Sequence, residues 1–397
     1  MSRPRILVFS TTVATAVGLG TLPAFTFGVL APFLRDEFAL SRSGLGLLTT
    51  VFFVVGAPAS LLAGKVVDAA PSRSMARAIF LAILFSALGM AMAPSYGWLL
   101  VASALAGIPL GLGNPGTNKL VARFVTPGVR GLVMGVKQSG VQVAALLAGA
   151  ILPGIAKAWG WRIAIGLTAI PALVGLVGTF SFPRQELPAQ SAPSDPGGRR
   201  SGRALKALAV YSFLMGAAMA AMGAYLPLYA EEQIGMSVTE AGALAASIGA
   251  VGTLSRIAWG WQSERFKHVS APLVIMGAGA VIATVLIAAA ASHAGWLLWP
   301  ATILVGATGA SWMAVAMLAV VTEMHSERTG RASGIVIFGF FLGCTTSPSL
   351  FGYSVDVTQS YLAGWVGVGV AFGAATLIAL RWRAGRAHET LTSDQMM

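Results

Sequence analysis

A single cysteine, Cys344, occurs in the 397 residues, and it lies in an apolar stretch. No intramolecular disulfide can form, and a chain of this length needs none. Charge is the second scarcity. Asp, Glu, Lys and Arg make up 10% of the chain, against about 25% in soluble domains. There is too little polar surface for water to cover the molecule on every side. Acids are rarer still, 14 against 26 Lys and Arg, and there are four histidines. No metal-ligand spacing, phosphate loop or catalytic triad rises above background, so no metal, cofactor or catalytic residue is expected and the chain does not read as an enzyme. The net charge of +12 is scattered singly or in small groups between apolar runs. It forms no basic face for phosphates, which excludes nucleic acid as a partner. A cleavable leader is not expected either. The start, MSRPRILVFS, opens an apolar run that reaches Leu34 without a cleavage site, and it reads as a retained first span.

What the chain has in abundance is hydrophobic residues, 56% of the total. Twelve apolar segments can be drawn, each about 18–28 residues and long enough to cross the hydrocarbon core. They cover 6–34, 44–66, 76–94, 97–123, 131–156, 161–182, 204–230, 239–261, 270–292, 295–322, 330–353 and 360–382. Long continuous runs exclude the short alternating strands of a membrane barrel. The expected class is an all-α membrane protein with twelve transmembrane helices.

All but four of the 26 basic residues fall on one side of this layout; Arg35, Arg42, Lys157 and Arg162 fall on the other. The positive-inside rule then places both termini in the cytoplasm. Residues 183–203, PRQELPAQSAPSDPGGRRSGR, read as a flexible cytoplasmic linker. They separate six spans in 1–182 from six spans and a short tail in 204–397. The halves repeat. Ser41, Gly46, Gly56, Gly64 and Asp68 match Ser237, Gly242, Gly252, Gly260 and Glu264 at one offset. Gly131, Gly135 and Gly140 match Gly330, Gly334 and Gly339 at a slightly longer one.

The loop after span 2 reads GKVVDAAPSRSMAR, with Gly64, Asp68, Arg73 and Arg77; the loop after span 8 reads GWQSERFK, with Gly260, Glu264 and Arg265. With the GWRIAIG opening of span 6, these residues resemble the major facilitator superfamily. The basic residue usual after the aspartate is Ala69 here. The resemblance implies two pseudo-symmetric six-helix bundles with alternating access about a central cavity. It also implies a monomer in the lipid bilayer, carrying a small-molecule solute with co-transport of a proton left open. Compact loops and high Ala and Gly content point to a bacterial inner membrane. At the cytoplasmic mouth, Asp68 can accept hydrogen bonds from an arginine or a helix N-terminus. Arg123, Arg130, and Gly330 with Arg331 at the start of span 11 are the candidates. Contacts of this kind would hold that side shut. The basic residues here also serve as plain topology signals.

Span 5 carries GVKQSGVQ, with Lys137, Gln138 and Gln142 in a stretch otherwise free of charge. A cation near the bilayer centre costs about 2.5 kcal/mol or more. Lys137 either snorkels to the headgroups or belongs to a polar stripe on a wet cavity. The two glutamines, one turn apart, favour the stripe. Span 4 adds Asn114 and Asn118, and Asn114-Pro115-Gly116 is expected to interrupt that helix. Many proton-coupled relatives carry an arginine early in span 4, where this chain has Ser103. Span 8 holds Arg256, a position familiar in family members that carry organic anions; the plainer alternative is a structural arginine on Glu264 or a carbonyl. On this layout every acid lies in a loop, a tail or a helix end, so a negative partner for Lys137 and Arg256 is missing. The expected cargo is a small organic anion, a carboxylate, as in monocarboxylate-type permeases. Arg256 would bind it bidentately and Lys137 as a point charge. Tyr211, Tyr225, Trp312, Met219 and Met317 either line its apolar part or simply pack. The alternatives are an efflux pump for amphipathic compounds, which usually carries a buried acid, and a membrane sensor that binds without transporting.

Overall fold

A computed structural model describes residues 3–40, 42–182, 199–266, 268–292, 294–324 and 328–394. Among these, all regular structure is helical. The helices are α1 (Arg3–Val29), α2 (Ala31–Phe38), α3 (Arg42–Ala69), α4 (Ser72–Ala91), α5 (Tyr96–Phe124), α6 (Arg130–Trp159), α7 (Trp161–Leu167) and α8 (Ala169–Gly178). There follow α9 (Arg199–Glu232), α10 (Val238–Ser263), α11 (Ser270–Ala290), α12 (Leu298–Ala307), α13 (Trp312–Glu323), α14 (Thr329–Thr358) and α15 (Tyr361–Asp394). Among the described residues, twelve helical stretches are long and apolar enough to cross a membrane, near the expected boundaries. The fold is an all-α bundle pair with internal pseudo-symmetry. Of the stretch read as a linker, 183–198 lies outside the described residues, while 199–203 already belongs to α9.

The described residues group into two compact units. The first takes in 1–192 and 324–337, the second 193–323 and 338–397. Within a bilayer, helices gain little from apolar burial and associate through close packing at small residues. The repeated glycines do this work in each unit. A Cβ on Gly140 of α6 would collide with the carbonyl oxygen of Ala14 on α1. Its repeat partner, Gly339 of α14, lies against α9 in the same way, and a Cβ there would meet the Ala209 oxygen at 2.6 Å. Gly56 of α3 faces Gly107 and Leu110 of α5, and Gly252 of α10 faces Gly306 and Ala310 in the middle of span 10. The matched residues therefore occupy matched helix crossings.

Four helices differ from the expected spans, the sixth only in a one-residue interruption at Thr168 between α7 and α8. The first ends at Val29, and the chain restarts as α2 at Ala31 with Pro32 in its first turn, a position where proline's missing N–H costs nothing. Span 4 was expected to break at Asn114-Pro115-Gly116, but α5 runs unbroken through both Pro109 and Pro115. One proline removes one backbone bond, and in a buried helix neighbouring groups can compensate. Span 10, read as continuous, breaks instead: α12 stops at Ala307 and α13 starts at Trp312. At the break, Thr308 leaves helical geometry with φ −123° and ψ −75°.

Candidate functional site

In the first unit, α5 and α6 bring the polar residues of spans 4 and 5 together. Lys137 is fully buried. It does not snorkel; its ammonium donates to the side-chain oxygen of Asn118. No acid among the described residues pairs with it. Asn118 in turn donates through Nδ2 to the Ser333 hydroxyl at 2.7 Å, and Ser333 donates to the Thr329 carbonyl at 2.7 Å. One turn along, Gln138 donates to the Asn114 side-chain oxygen at 2.9 Å. Gln142 sits half-buried a further turn away. The spacing of these residues puts them on facing helix surfaces, and burial makes each choose a partner. Ser103, elsewhere on α5, is buried and donates to the Leu48 carbonyl at 2.7 Å.

At the end of α3, the Asp68 carboxylate accepts from the backbone N–H of Gly330 at 2.8 Å and of Arg331 at 2.9 Å. These are among the first N–H groups of α14, which have no intrahelical acceptor. A carboxylate there also meets the positive end of the helix dipole. The partner of Asp68 is thus the start of span 11. Arg73 and Arg130 turn to backbone carbonyls instead: Arg73 to Phe182 at 2.7 Å, Arg130 to Val125 at 2.9 Å and Ala122 at 3.0 Å. Arg123 lies half-buried in the last turn of α5. Glycine makes the approach possible, since a Cβ on Gly64 would meet the Arg331 Cα at 2.6 Å.

In the second unit, Arg256 of α10 is buried and donates through Nε to the Ala310 carbonyl at 2.9 Å. Trp259, one turn on, donates to the Ala307 carbonyl at 2.7 Å. Both acceptors lie at the break between α12 and α13. Of the two structural partners foreseen for Arg256, a carbonyl is thus engaged. Gly260 is buried and Glu264 caps α10. Arg265 lies over the Trp261 ring, 3.9 Å from its centroid. Tyr211 is buried with its hydroxyl on the Leu273 carbonyl at 2.9 Å, and its ring packs edge-on against Trp312. Tyr225 stacks on Phe351 at 4.4 Å.

A family model described as Major Facilitator Superfamily matches residues 13–348. The chain belongs to that family. It is similar to the hexuronate transporter of Bacillus subtilis (strain 168), with 24% identity over 89% of each chain. Among solved structures it resembles the proton:xylose symporter XylE, with a TM-score of 0.79, 15% identity and 96% of each chain covered. It also resembles the human organic anion transporter MFSD10 (TETRAN), with a TM-score of 0.73, 17% identity and coverage of 94% of this chain and 99% of that one. This facilitator-family chain is therefore a multi-pass membrane transporter working by alternating access, and not an enzyme.

Two features of this transporter escaped the sequence reading. Lys119 counted there as one more basic residue of the cytoplasmic side. In the fold it is buried and donates to the carbonyls of Val67 at 2.7 Å, Asp68 at 3.0 Å and Ala70 at 2.6 Å. It closes the C-terminal end of α3 and so fixes the residue that grips α14. Its place one residue after Asn118, inside an apolar span, was the available signal. The second is Glu37 of α2, which pairs with Arg162 and accepts from the Trp161 indole N–H. Arg162 also donates to the Ala93 carbonyl at 2.7 Å. Partial burial raises the Glu37 pKa, but hydrogen bonds from Trp161 and Arg162 and the charge of Arg162 outweigh it and hold the carboxyl below its ordinary value.

Proposed function

We propose that this transporter carries a small organic anion, a sugar acid such as a hexuronate, across the inner membrane of a bacterium, with both termini in the cytoplasm. The observation that carries this reading is Lys137: a lysine buried completely, with a neutral amide and, among the described residues, no acid paired with it. Burying an ammonium without a counter-charge is costly, and a cargo carboxylate is the group that would offset that cost. Gln138 and Asn114 offer amide donors and acceptors next to it, suited to the hydroxyls of a sugar acid. Arg256 is the second positive group, oriented by its bond to Ala310. The similarity to a hexuronate transporter along 89% of the chain supports the same cargo class. The basic bias of the loops supports the orientation.

In this mechanism the contact of Asp68 with Gly330 and Arg331 closes the cytoplasmic side and parts when that side opens. The test is uptake of radiolabelled D-glucuronate by the purified chain in proteoliposomes. Lys137→Ala and Arg256→Ala are each expected to cut uptake by about thirtyfold or more, the loss that follows truncation of one partner in a buried charge pair. Unchanged uptake in both variants rejects the anion reading.

A further inference from the structure

The start of α14 is held by three side chains of the first unit. Asp68 caps its Gly330 and Arg331 N–H groups. Ser60 donates to the Gly334 carbonyl at 3.2 Å. Asn118 donates to Ser333 at 2.7 Å. Of the three, Asn118 also accepts from Lys137. We propose that Asn118 is a positioning residue that ties the occupancy of Lys137 to the grip on the first turns of α14. The trigger in this proposal rests on the anion reading of Lys137; the link itself does not.

The argument is one of side-chain geometry. A carboxamide is planar, with its acceptor and its donor fixed side by side on one carbon. With Oδ1 on Lys137 and Nδ2 on Ser333, one rotation serves both bonds. Asn118 and Ser333 are fully buried, so neither can exchange a lost partner for bulk water. A cargo carboxylate makes a stronger, charge-assisted bond to the ammonium than a neutral amide does. As the ammonium shifts to the anion, Oδ1 loses its charged donor, the amide re-orients, and Nδ2 leaves Ser333. Cargo thereby weakens one of the three holds on α14 and favours release of that segment, because it binds the released state better.

The test is amide hydrogen exchange, read by mass spectrometry over residues 330–334 in the reconstituted full chain. Without ligand, Lys137→Met and Ser333→Ala should each speed exchange by about three- to tenfold, the effect of one buried hydrogen bond. The double variant should exchange no faster than either single one, the non-additivity of a shared link. Asp68→Asn, an independent hold, should add to both. With D-glucuronate, exchange should rise in the wild type but not in Ser333→Ala, whose glucuronate affinity should rise by up to about the same three- to tenfold, because cargo no longer has to break that bond. If Ser333→Ala does not fold, Asn118→Leu takes its place in the ligand-free cycle. Additive effects of Lys137→Met and Ser333→Ala, or a wild-type rate in Lys137→Met, overturn the link. If glucuronate fails to bind the wild type, the cargo reading falls, and the ligand-free cycle still decides the link.

Discussion

Asp68 and Gly330 stand 262 positions apart in the chain, yet the carboxylate of one accepts the N–H of the other at 2.8 Å. Arg331 donates to the second oxygen at 2.9 Å. An acid at the end of one helix thus caps the start of another. The geometry needs Gly64 for backbone approach and Lys119 to hold the end of α3.

Asp68→Asn keeps one acceptor and loses the charge and the second oxygen. Hydrogen bonds to a charged group contribute about 1.5–3 kcal/mol, so the hold on the start of α14 should be weakened by about that order. Transport by the variant should fall about tenfold or more, while D-glucuronate affinity is retained or rises, since cargo favours the released state. Uptake rates beside equilibrium binding check this; a wild-type rate would remove Asp68 from the gate.

Gly140 is a steric requirement of the contact between α1 and α6. Gly140→Val should destabilise the first unit by about 1–3 kcal/mol, the usual cost of overpacking. Gly149→Ala, further along the same helix with open space around its Cβ position, should be neutral or slightly stabilising. Thermal unfolding of the two variants in the same detergent makes the comparison, and equal midpoints would contradict the close packing.

Arg256→Met should leave the Ala310 carbonyl without its Nε donor in a buried place, at a cost of about 1–3 kcal/mol. Arg256→Lys keeps the charge but not the guanidinium's fixed donor geometry. If Arg256 both orients the span 10 break and meets cargo, Lys should restore part of the stability and little of the glucuronate uptake. Full uptake by Arg256→Lys would assign the residue to charge alone.

The Glu37–Arg162 pair should show in the pH dependence of stability. The folded-state pKa of Glu37 lies below its ordinary value. Its stabilising contribution is therefore complete above the unfolded-state pKa and disappears as pH falls through the folded one. Both side chains are more than a third exposed, so the pair contributes at most about 1 kcal/mol at neutral pH. Unfolding midpoints of wild type and Glu37→Gln should differ at pH 7 and converge in acid. A gap that widens in acid would contradict the assignment.

The twelve spans were legible because a run of about twenty apolar residues has few other uses. The repeat was legible in its glycines, and Gly140 and Gly339 do occupy equivalent crossings. The Lys137, Gln138, Asn114 and Asn118 cluster was legible as polarity where lipid would not tolerate it. The course of spans 4 and 10 was not. Asn114-Pro115-Gly116 has the local chemistry of a break and continues as helix, whereas Thr308-Gly309-Ala310-Ser311 lacks proline and breaks. The difference lies in distant donors. Arg256 and Trp259 satisfy carbonyls at the break in span 10, and nothing within span 10 announces them.

Membrane residence, helix count and the doubled architecture came from the sequence alone, because hydropathy and repeats are properties of a segment and survive any packing. The partners of the buried polar groups were decided by the tertiary structure: Lys137 on Asn118, Asp68 on the start of α14, Lys119 on the end of α3. A buried donor or acceptor must be satisfied, but which group satisfies it depends on distances that only packed helices define.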